Sequence, residues 1–311
     1  MSQNLQLAIT AFGGPETLKL QHTSVPTPTE NQVLVKVAFA GVNPIDAKTR
    51  AGLGWGAEKI KDSLPWVPGF DAAGTVVLDS GVFNAGDRVV GRIVEGGGYG
   101  QHLLADVSAL TRIPDAVSFQ QAACLPVAGL TALQALELAN VESGDRVLIL
   151  AGSGGVGHIG IQLAKAKGAT VFASVSSVNT AFVSSLGATA LDYTESALEK
   201  QLRDVDVLID LMGGDVGEAA LACVKNGGRV VTVPTITAPR IIEAAEAKGI
   251  SAQGMLVQPN TLQLDALLAS IETKTLHIEI TKTYPLEQGV QAHVDIQTGR
   301  TRGKILLEMP E

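Results

Sequence analysis

The passage that most constrains this chain is an apolar run, Arg146 to Ala151, that enters the turn Gly152-Ser153-Gly154-Gly155-Val156-Gly157 and leaves it on a helical pattern. Val156, Ile159, Leu163 and Ala166 recur on one helix face. Gly152 permits the tight turn, Gly154 lets the backbone come close to a pyrophosphate, and Gly157 lets the helix pack against the strand. The free N–H groups at the helix start, at Gly155, Val156 and Gly157, hold the phosphate charge. Alone, such a glycine string also fits an ordinary strand-to-helix connection. With strand, turn, helix and a second strand (Thr170 to Ser174) in order, it reads as a dinucleotide site.

A site for NAD places a carboxylate about 20 positions on, at the end of the second strand, against the ribose 2′-hydroxyl. That stretch here is Phe172-Ala173-Ser174-Val175-Ser176-Ser177-Val178-Asn179-Thr180, and it holds no acid. A 2′-phosphate would meet no repulsion there, and Ser174, Ser176, Ser177 and Asn179 can donate hydrogen bonds to it. The expectation is therefore NADP(H), although no Lys or Arg lies between Lys167 and Lys200 to add a cation. The plainer reading of the serines is a solvated loop. Asp192 falls too late to be the ribose acid; with Tyr193 it is expected after the third strand, near the adenine.

Strands and helices alternate around this turn. Ser118 to Ala139 reads as helix interrupted at Pro126 and Gly129, Gly155 to Lys167 as helix, and Val205 to Asp210 and Arg229 to Pro234 as strands. That alternation predicts a parallel, doubly wound sheet. The first third has another texture. Gln32 to Phe39, Gly74 to Leu78, Arg88 to Ile93 and Gly100 to Ala105 are short strands set between Gly and Pro turns, as in a small barrel. A helix at Thr261 to Thr273 precedes renewed β texture through Lys304-Ile305-Leu306-Leu307. The layout expected is a β-rich domain, residues 1–118 and 262–311, split by a dinucleotide domain, residues 119–261. A chain of 311 residues is long enough to bury both cores.

Composition narrows the partners. The net charge of −8 and the dispersed basic residues oppose a nucleic-acid partner. Apolar runs are strand-length, too short for a membrane span, and Met1-Ser2-Gln3-Asn4 lacks the pattern of a secretory signal. Cys124 and Cys223 are too few for a disulfide framework and read as buried apolar residues in a reducing compartment, the cytoplasm.

Several segments, taken in order, carry a resemblance. They are Ala40-Gly41-Val42-Asn43-Pro44-Ile45-Asp46, Pro68-Gly69-Phe70-Asp71-Ala72-Ala73-Gly74, Gly86-Asp87-Arg88-Val89, Leu125-Pro126, Leu130-Thr131-Ala132, Ala151 to Gly157, Leu186-Gly187-Ala188 and Arg302-Gly303-Lys304-Ile305. The chain resembles the medium-chain dehydrogenase/reductase superfamily over nearly its whole length, and within it the quinone oxidoreductase and ζ-crystallin-like group. The resemblance implies an α/β fold, with a Rossmann domain inserted in a GroES-like β-barrel domain that carries the catalytic residues. Zinc alcohol dehydrogenases of that superfamily are similar but need a Cys near the first segment and a His in the second, where this chain has Asn43 and Phe70. His22, His102, His158, His277 and His293 show no ligand spacing, and His158 reads as a surface residue at a helix start. No metal is expected.

Without a Lewis acid, alcohol oxidation loses its route to an alkoxide. A quinone or a conjugated enone remains a competent hydride acceptor, needing orientation and a hydrogen bond to its oxygen. The resemblance implies that Asn43 lies at the nicotinamide ribose and substrate, with Asp46 positioning it and Thr131 on the nicotinamide. Gly213-Gly214 and Val233-Pro234-Thr235 would border the cofactor, Met255-Leu256 would cover its carboxamide side, and Lys304 would close over from the C-terminal strand. Read alone, Asn43-Pro44 is a turn former and Thr131 a back-bonding helix residue. Lys48 and Tyr99 are the candidate donors to the substrate oxygen: a Lys at this position recurs in enone- and alkenal-reducing relatives, and Tyr99 follows a glycine run facing the same cleft in the family. Their plainer readings are a solvated lysine and a packed ring. Trp55 is a candidate wall for a planar substrate.

The function expected is an NADPH-dependent, zinc-independent reductase of quinones or α,β-unsaturated carbonyls, acting as a homodimer. The rivals are an enoyl-thioester reductase of the same superfamily, which needs a basic patch that does not stand out here, and a non-catalytic NADPH-binding protein like some ζ-crystallin relatives.

Overall fold

The apolar periodicities become two large sheets and a two-stranded hairpin in the computed structural model, which describes residues 3–311. In chain order the strands are β1 (Gln3–Ile9), β2 (Leu18–Ser24), β3 (Gln32–Val42), β4 (Asp71–Val76), β5 (Arg88–Arg92), β6 (His102–Asp106), β7 (Leu110–Arg112), β8 (Arg146–Ile149), β9 (Thr170–Val175), β10 (Thr189–Asp192), β11 (Val205–Asp210), β12 (Val224–Thr232), β13 (Ser251–Gly254), β14 (Ile280–Pro285) and β15 (Lys304–Glu308). They fall into two compact units. The first comprises the chain up to Leu130 together with Pro259–Glu311, and the second Thr131–Gln258. Among the described residues no helix is long and apolar enough to cross a membrane.

In the first unit the order is β14-β15-β3-β4-β5-β7, with β6 also paired to β3 and a separate β1-β2 hairpin. Its pairs are antiparallel except β14 with β15. Alternation along β3 turns Val33, Val35 and Val37 into a core with Leu7, Ile9, Val89, Leu103 and Leu307. The stretch after residue 273 departs from the β texture expected there: a helix, Gly289–Gln297, lies between β14 and β15. Its buried side chains are Ala292 and His293, which make a weak apolar stripe and hide the helical period.

The second unit carries a six-stranded sheet in the order β10-β9-β8-β11-β12-β13, parallel throughout. Numbered within the unit, that is the doubly wound order 3-2-1-4-5-6, which reverses between β8 and β11. The central strands are buried on both faces, at Val147, Leu148 and Ile149 and at Val207, Leu208 and Ile209.

The seam between the units falls after Leu130, not after Ser118 as the helical pattern suggested. Pro126 removes a helix donor, so the chain runs as a short helix, Phe119–Ala122, a π-helical turn, Leu125–Gly129, and a new helix, Leu130–Leu138. Val127 N–H donates to the Asp71 carboxylate at 2.6 Å, which ties that turn to β4. At the other end the seam follows Gln258 rather than residue 261.

Candidate functional site

In the second unit, the turn after β8 is glycine-rich for steric reasons. A Cβ on Gly157 would stand 2.2 Å from the Ala151 carbonyl oxygen, and one on Gly152 would stand 2.5 Å from Ala173 Cβ. Neither neighbour can yield without moving a strand. The helix Gly155–Ala166 starts from Gly154 in extended conformation, which offers no capping side chain. Its first N–H groups, at Gly155 and Val156, are thus left to an external anion. These residues fit a pyrophosphate.

One expectation changes here, that of His158 on the surface. Ser174 is buried, and its hydroxyl accepts from Ala151 N–H at 3.1 Å, so it stitches the turn to β9. His158 is buried, not on the surface, with Nδ1 2.8 Å from the Gly154 carbonyl oxygen, and braces the helix start from beneath. Ser176, Ser177 and Asn179 lie in the loop after β9, and Tyr193 follows β10 with an exposed ring.

On the other side of the switch, Asp210 ends β11. Its carboxylate accepts from Met212 N–H (2.9 Å), Gly213 N–H (2.8 Å) and Thr232 Oγ1 (2.8 Å), which holds Gly213 at φ +65°. Asp210 was missed in the sequence; its signal is an acid closing a strand just before a Gly-Gly pair. Pro234 is half-buried, Met255 and Thr131 are buried, and Leu256 is exposed.

In the first unit the structure assembles a buried polar cluster. Asn43 is not a simple turn former: with Pro44 it opens the helix Pro44–Arg50, as N-cap and first residue. Its backbone N–H donates to Asp46 Oδ2 at 2.8 Å, and its side-chain Nδ2 donates to Asp71 Oδ2 at 2.8 Å. Lys304 Nζ donates to Asn43 Oδ1 at 2.5 Å and lies 3.4 Å from Asp71 Oδ2. Asn43, Asp46, Asp71 and Lys304 are all buried. Lys304 is therefore an internal cation, not a residue that closes over a ligand from outside, and the Asn43 amide faces inward too.

A second chain of contacts reaches Asp46 from the other side. Arg50 Nε donates to His293 Nδ1 at 3.2 Å, and His293 Nε2 lies 3.3 Å from the Tyr99 hydroxyl, which burial first and the Asp46 charge second hold well above its usual range. Tyr99 is fully buried, so it cannot donate to a substrate; ring packing won over the catalytic role expected for it. Lys48, by contrast, is exposed on the helix that Asn43 opens. Trp55 stacks obliquely on Phe70 at 5.8 Å, with Trp66 at the same distance.

Burial pushes the Asp46 carboxyl up to about 7 from 3.8, with the neighbouring Asp71 charge adding to the rise. Burial likewise raises Asp71, against the opposing charge of Lys304. His293 is held down at about 3 from 6.5, by burial first and Arg50 second. Between pH 3.8 and about 7 the folded chain keeps a proton on Asp46 that the unfolded chain has lost, so this group's contribution to stability falls as pH rises through that window. His293 acts oppositely from about 3 to 6.5, where only the unfolded chain is protonated. Asp46→Asn should remove the first effect. In urea unfolding from pH 4 to 8, the variant's stability relative to the parent should rise up to about pH 7 and then level; a difference that does not change with pH would refute the raised carboxyl.

The cluster also tests whether a metal fits. The positions that hold zinc ligands in similar enzymes are an amide bound to a lysine, Asn43, and a buried aromatic ring, Phe70. Among the described residues no three His, Cys, Asp or Glu side chains converge to hold an ion.

Comparison with known proteins returns a consistent picture. The profile described as an alcohol dehydrogenase GroES-like domain matches residues 29–115, and one described as a zinc-binding dehydrogenase matches residues 186–307. The chain is 34% identical to a quinone oxidoreductase of Mus musculus, over 98% of each protein. It is 38% identical to a chloroplastic NADPH-dependent alkenal/one oxidoreductase of Arabidopsis thaliana, over 73% of this chain and 62% of that one. Its fold superposes on the structure of the quinone oxidoreductase from Coxiella burnetii with a TM-score of 0.96 and 42% identity, covering 99% of this chain and 100% of that one.

Proposed function

The chain belongs to the quinone oxidoreductase family of the medium-chain dehydrogenases/reductases, and from that membership we propose that it is an NADPH-dependent reductase of quinones or α,β-unsaturated carbonyls that works without zinc. The observation that carries the reading is the Asn43–Lys304–Asp71 cluster, which puts an amide and an internal ammonium where a zinc enzyme needs a metal ligand. An acceptor must then arrive already activated, as a quinone or enone does. When bound, a dihydronicotinamide supplies the hydride.

The chain's own residues do the rest. Gly152, Gly154 and Gly157 keep the turn open for the pyrophosphate, and Asp210 fixes Gly213 beside the strand switch. Asn43 and Asp46 act as positioning residues for the helix that carries Lys48. Lys48 is the reachable donor for the acceptor oxygen, because Tyr99 is sealed in. The relatives named above support the acceptor class, and the acid-free stretch after Phe172, with the relative described as NADPH-dependent, supports the cofactor. The buried free thiols of Cys124 and Cys223 support a cytoplasmic location. The exposed outer strand β13 supports a homodimer joined edge to edge, which light scattering tests.

The decisive assay is NADPH oxidation with an electron-poor quinone, a conjugated enone and a saturated ketone. Turnover is expected with the first two, unchanged after dialysis against a chelator. Tight NADPH binding with no turnover on any activated acceptor would leave only a cofactor-binding role. Lys48→Met should lower kcat/KM by about tenfold or more with little change in NADPH affinity, the loss of one donor to developing oxyanion charge. Equal losses in both quantities would remove Lys48 from the substrate side.

A further inference from the structure

Arg50 is the last residue of the helix that Asn43 opens, and its side chain is fully buried. A buried cation needs partners of its own. The acid that acts on it, Glu16, does so through space, and Nη2 has no hydrogen-bond partner. What holds the guanidinium is the Gly13 carbonyl oxygen at Nη1 and His293 Nδ1, 3.2 Å from Nε. A charge kept under such conditions has one visible effect, which is to fix the proton on the far side of an imidazole.

The direction of the contacts follows from what each group can donate. Arginine only donates, so His293 Nδ1 is the bare nitrogen of its ring. His293 is neutral, held down at about 3, and its single proton is therefore on Nε2. That N–H faces the Tyr99 hydroxyl oxygen at 3.3 Å, and the two rings meet edge to face at 5.7 Å. The hydroxyl accepts from His293, and its own proton is turned the other way. After burial, the strongest influence on Tyr99 is the Asp46 charge. Packing puts the two side by side: a Cβ on Gly69 would stand 2.6 Å from Tyr99 Cδ1, and the Gly69 N–H donates to Asp46 Oδ1 at 3.2 Å. Asp46 Oδ2 meanwhile accepts from the Asn43 N–H that opens the helix. The protons thus point from Arg50 towards the carboxyl that ties Asn43 to the segment carrying Phe70 and Asp71.

We propose that Arg50, His293 and Tyr99 form a one-way hydrogen-bond chain that positions Asp46, and through it the helix start that presents Asn43 and Lys48 to the reaction, with His293 as the link that sets the direction. This rests on the reading of the chain as a reductase and deepens it. All three are positioning residues: they act through Asp46 and touch neither cofactor nor acceptor.

The test is NADPH oxidation with an electron-poor quinone by the intact protein, alongside the NADPH Kd from nicotinamide fluorescence titration. The variants are Tyr99→Phe, His293→Leu, His293→Gln and the double Tyr99→Phe/His293→Leu. Tyr99→Phe and His293→Leu should each lower kcat by about tenfold, the worth of one hydrogen bond to a charged group, with the NADPH Kd little changed. The double variant should lose no more than either single, because the two act as one chain. His293→Gln should recover most of the loss, since its amide oxygen accepts from Arg50 while its amide nitrogen donates to Tyr99. Urea unfolding establishes that each variant is folded; if His293→Leu does not fold, Tyr99→Phe and His293→Gln decide. A Tyr99→Phe protein with the parent's kcat, or a His293→Gln protein as slow as His293→Leu or Tyr99→Phe, overturns the chain and leaves the reductase standing. A parent without turnover on the quinone or on a conjugated enone overturns both.

Discussion

Lys304→Met is expected to cost about 3–5 kcal/mol of stability, the range for removing one partner of a buried ion pair. The ammonium sits 2% exposed between Asn43 Oδ1 and Asp71 Oδ2, with Asp46 also buried in the cluster. Methionine fills the volume but leaves Asp71 facing Asp46 without a counter-charge, at two sites that water does not reach. Asp71→Asn in the same background should recover much of the loss, because it removes the orphaned charge along with its partner. Urea unfolding of the two singles and the double closes the cycle. A single variant within about 1 kcal/mol of the parent would mean that the ion pair is cheaply replaced, and the cluster is then no more than packing.

Gly157→Ala is expected to have the largest effect on cofactor binding. The added methyl would approach the Ala151 carbonyl oxygen at 2.2 Å and Gly152 Cα at 2.8 Å, all of it backbone in the phosphate turn. Relief requires the helix Gly155–Ala166 to lift away from β8, which withdraws its N-terminal N–H groups from the pyrophosphate. Overpacking of this kind costs roughly 1–3 kcal/mol, so NADPH affinity should fall by about fivefold to more than a hundredfold. Circular dichroism should remain close to that of the parent, since the displacement is confined to one helix and its turn. Gly154→Ala makes the contrast: its Cβ meets the Ala151 oxygen only at 3.3 Å, and a smaller loss is expected. Equal affinities for Gly157→Ala and the parent would show that the turn does not carry the phosphate.

The turn and the parallel sheet were legible in the sequence because each is a local demand. Close approach of backbones requires glycine at fixed offsets, and strands buried on both faces, such as Val205–Asp210, are apolar without alternation. The polar cluster was only partly legible. Asn43 and Asp46 share one helix start, but Asp71, Tyr99, His293 and Lys304 are brought to it by pairing of distant strands and by a helix whose period is masked. Tyr99 was read from its neighbouring glycines, and burial, which the glycines do not encode, decided against it.

The insertion of one unit into the other orders events during synthesis. All six strands of the second unit lie between Thr131 and Gln258, so that sheet is complete before the last fifty or so residues leave the ribosome. The first unit has no such option. Strand β15 lies between β14 and β3, and Lys304, at its start, is the counter-charge for an acid laid down at residue 71. Until the C-terminus emerges, β3 waits with an open edge and Asp71 without its cation, so the nascent chain matures from the inside of its sequence outwards.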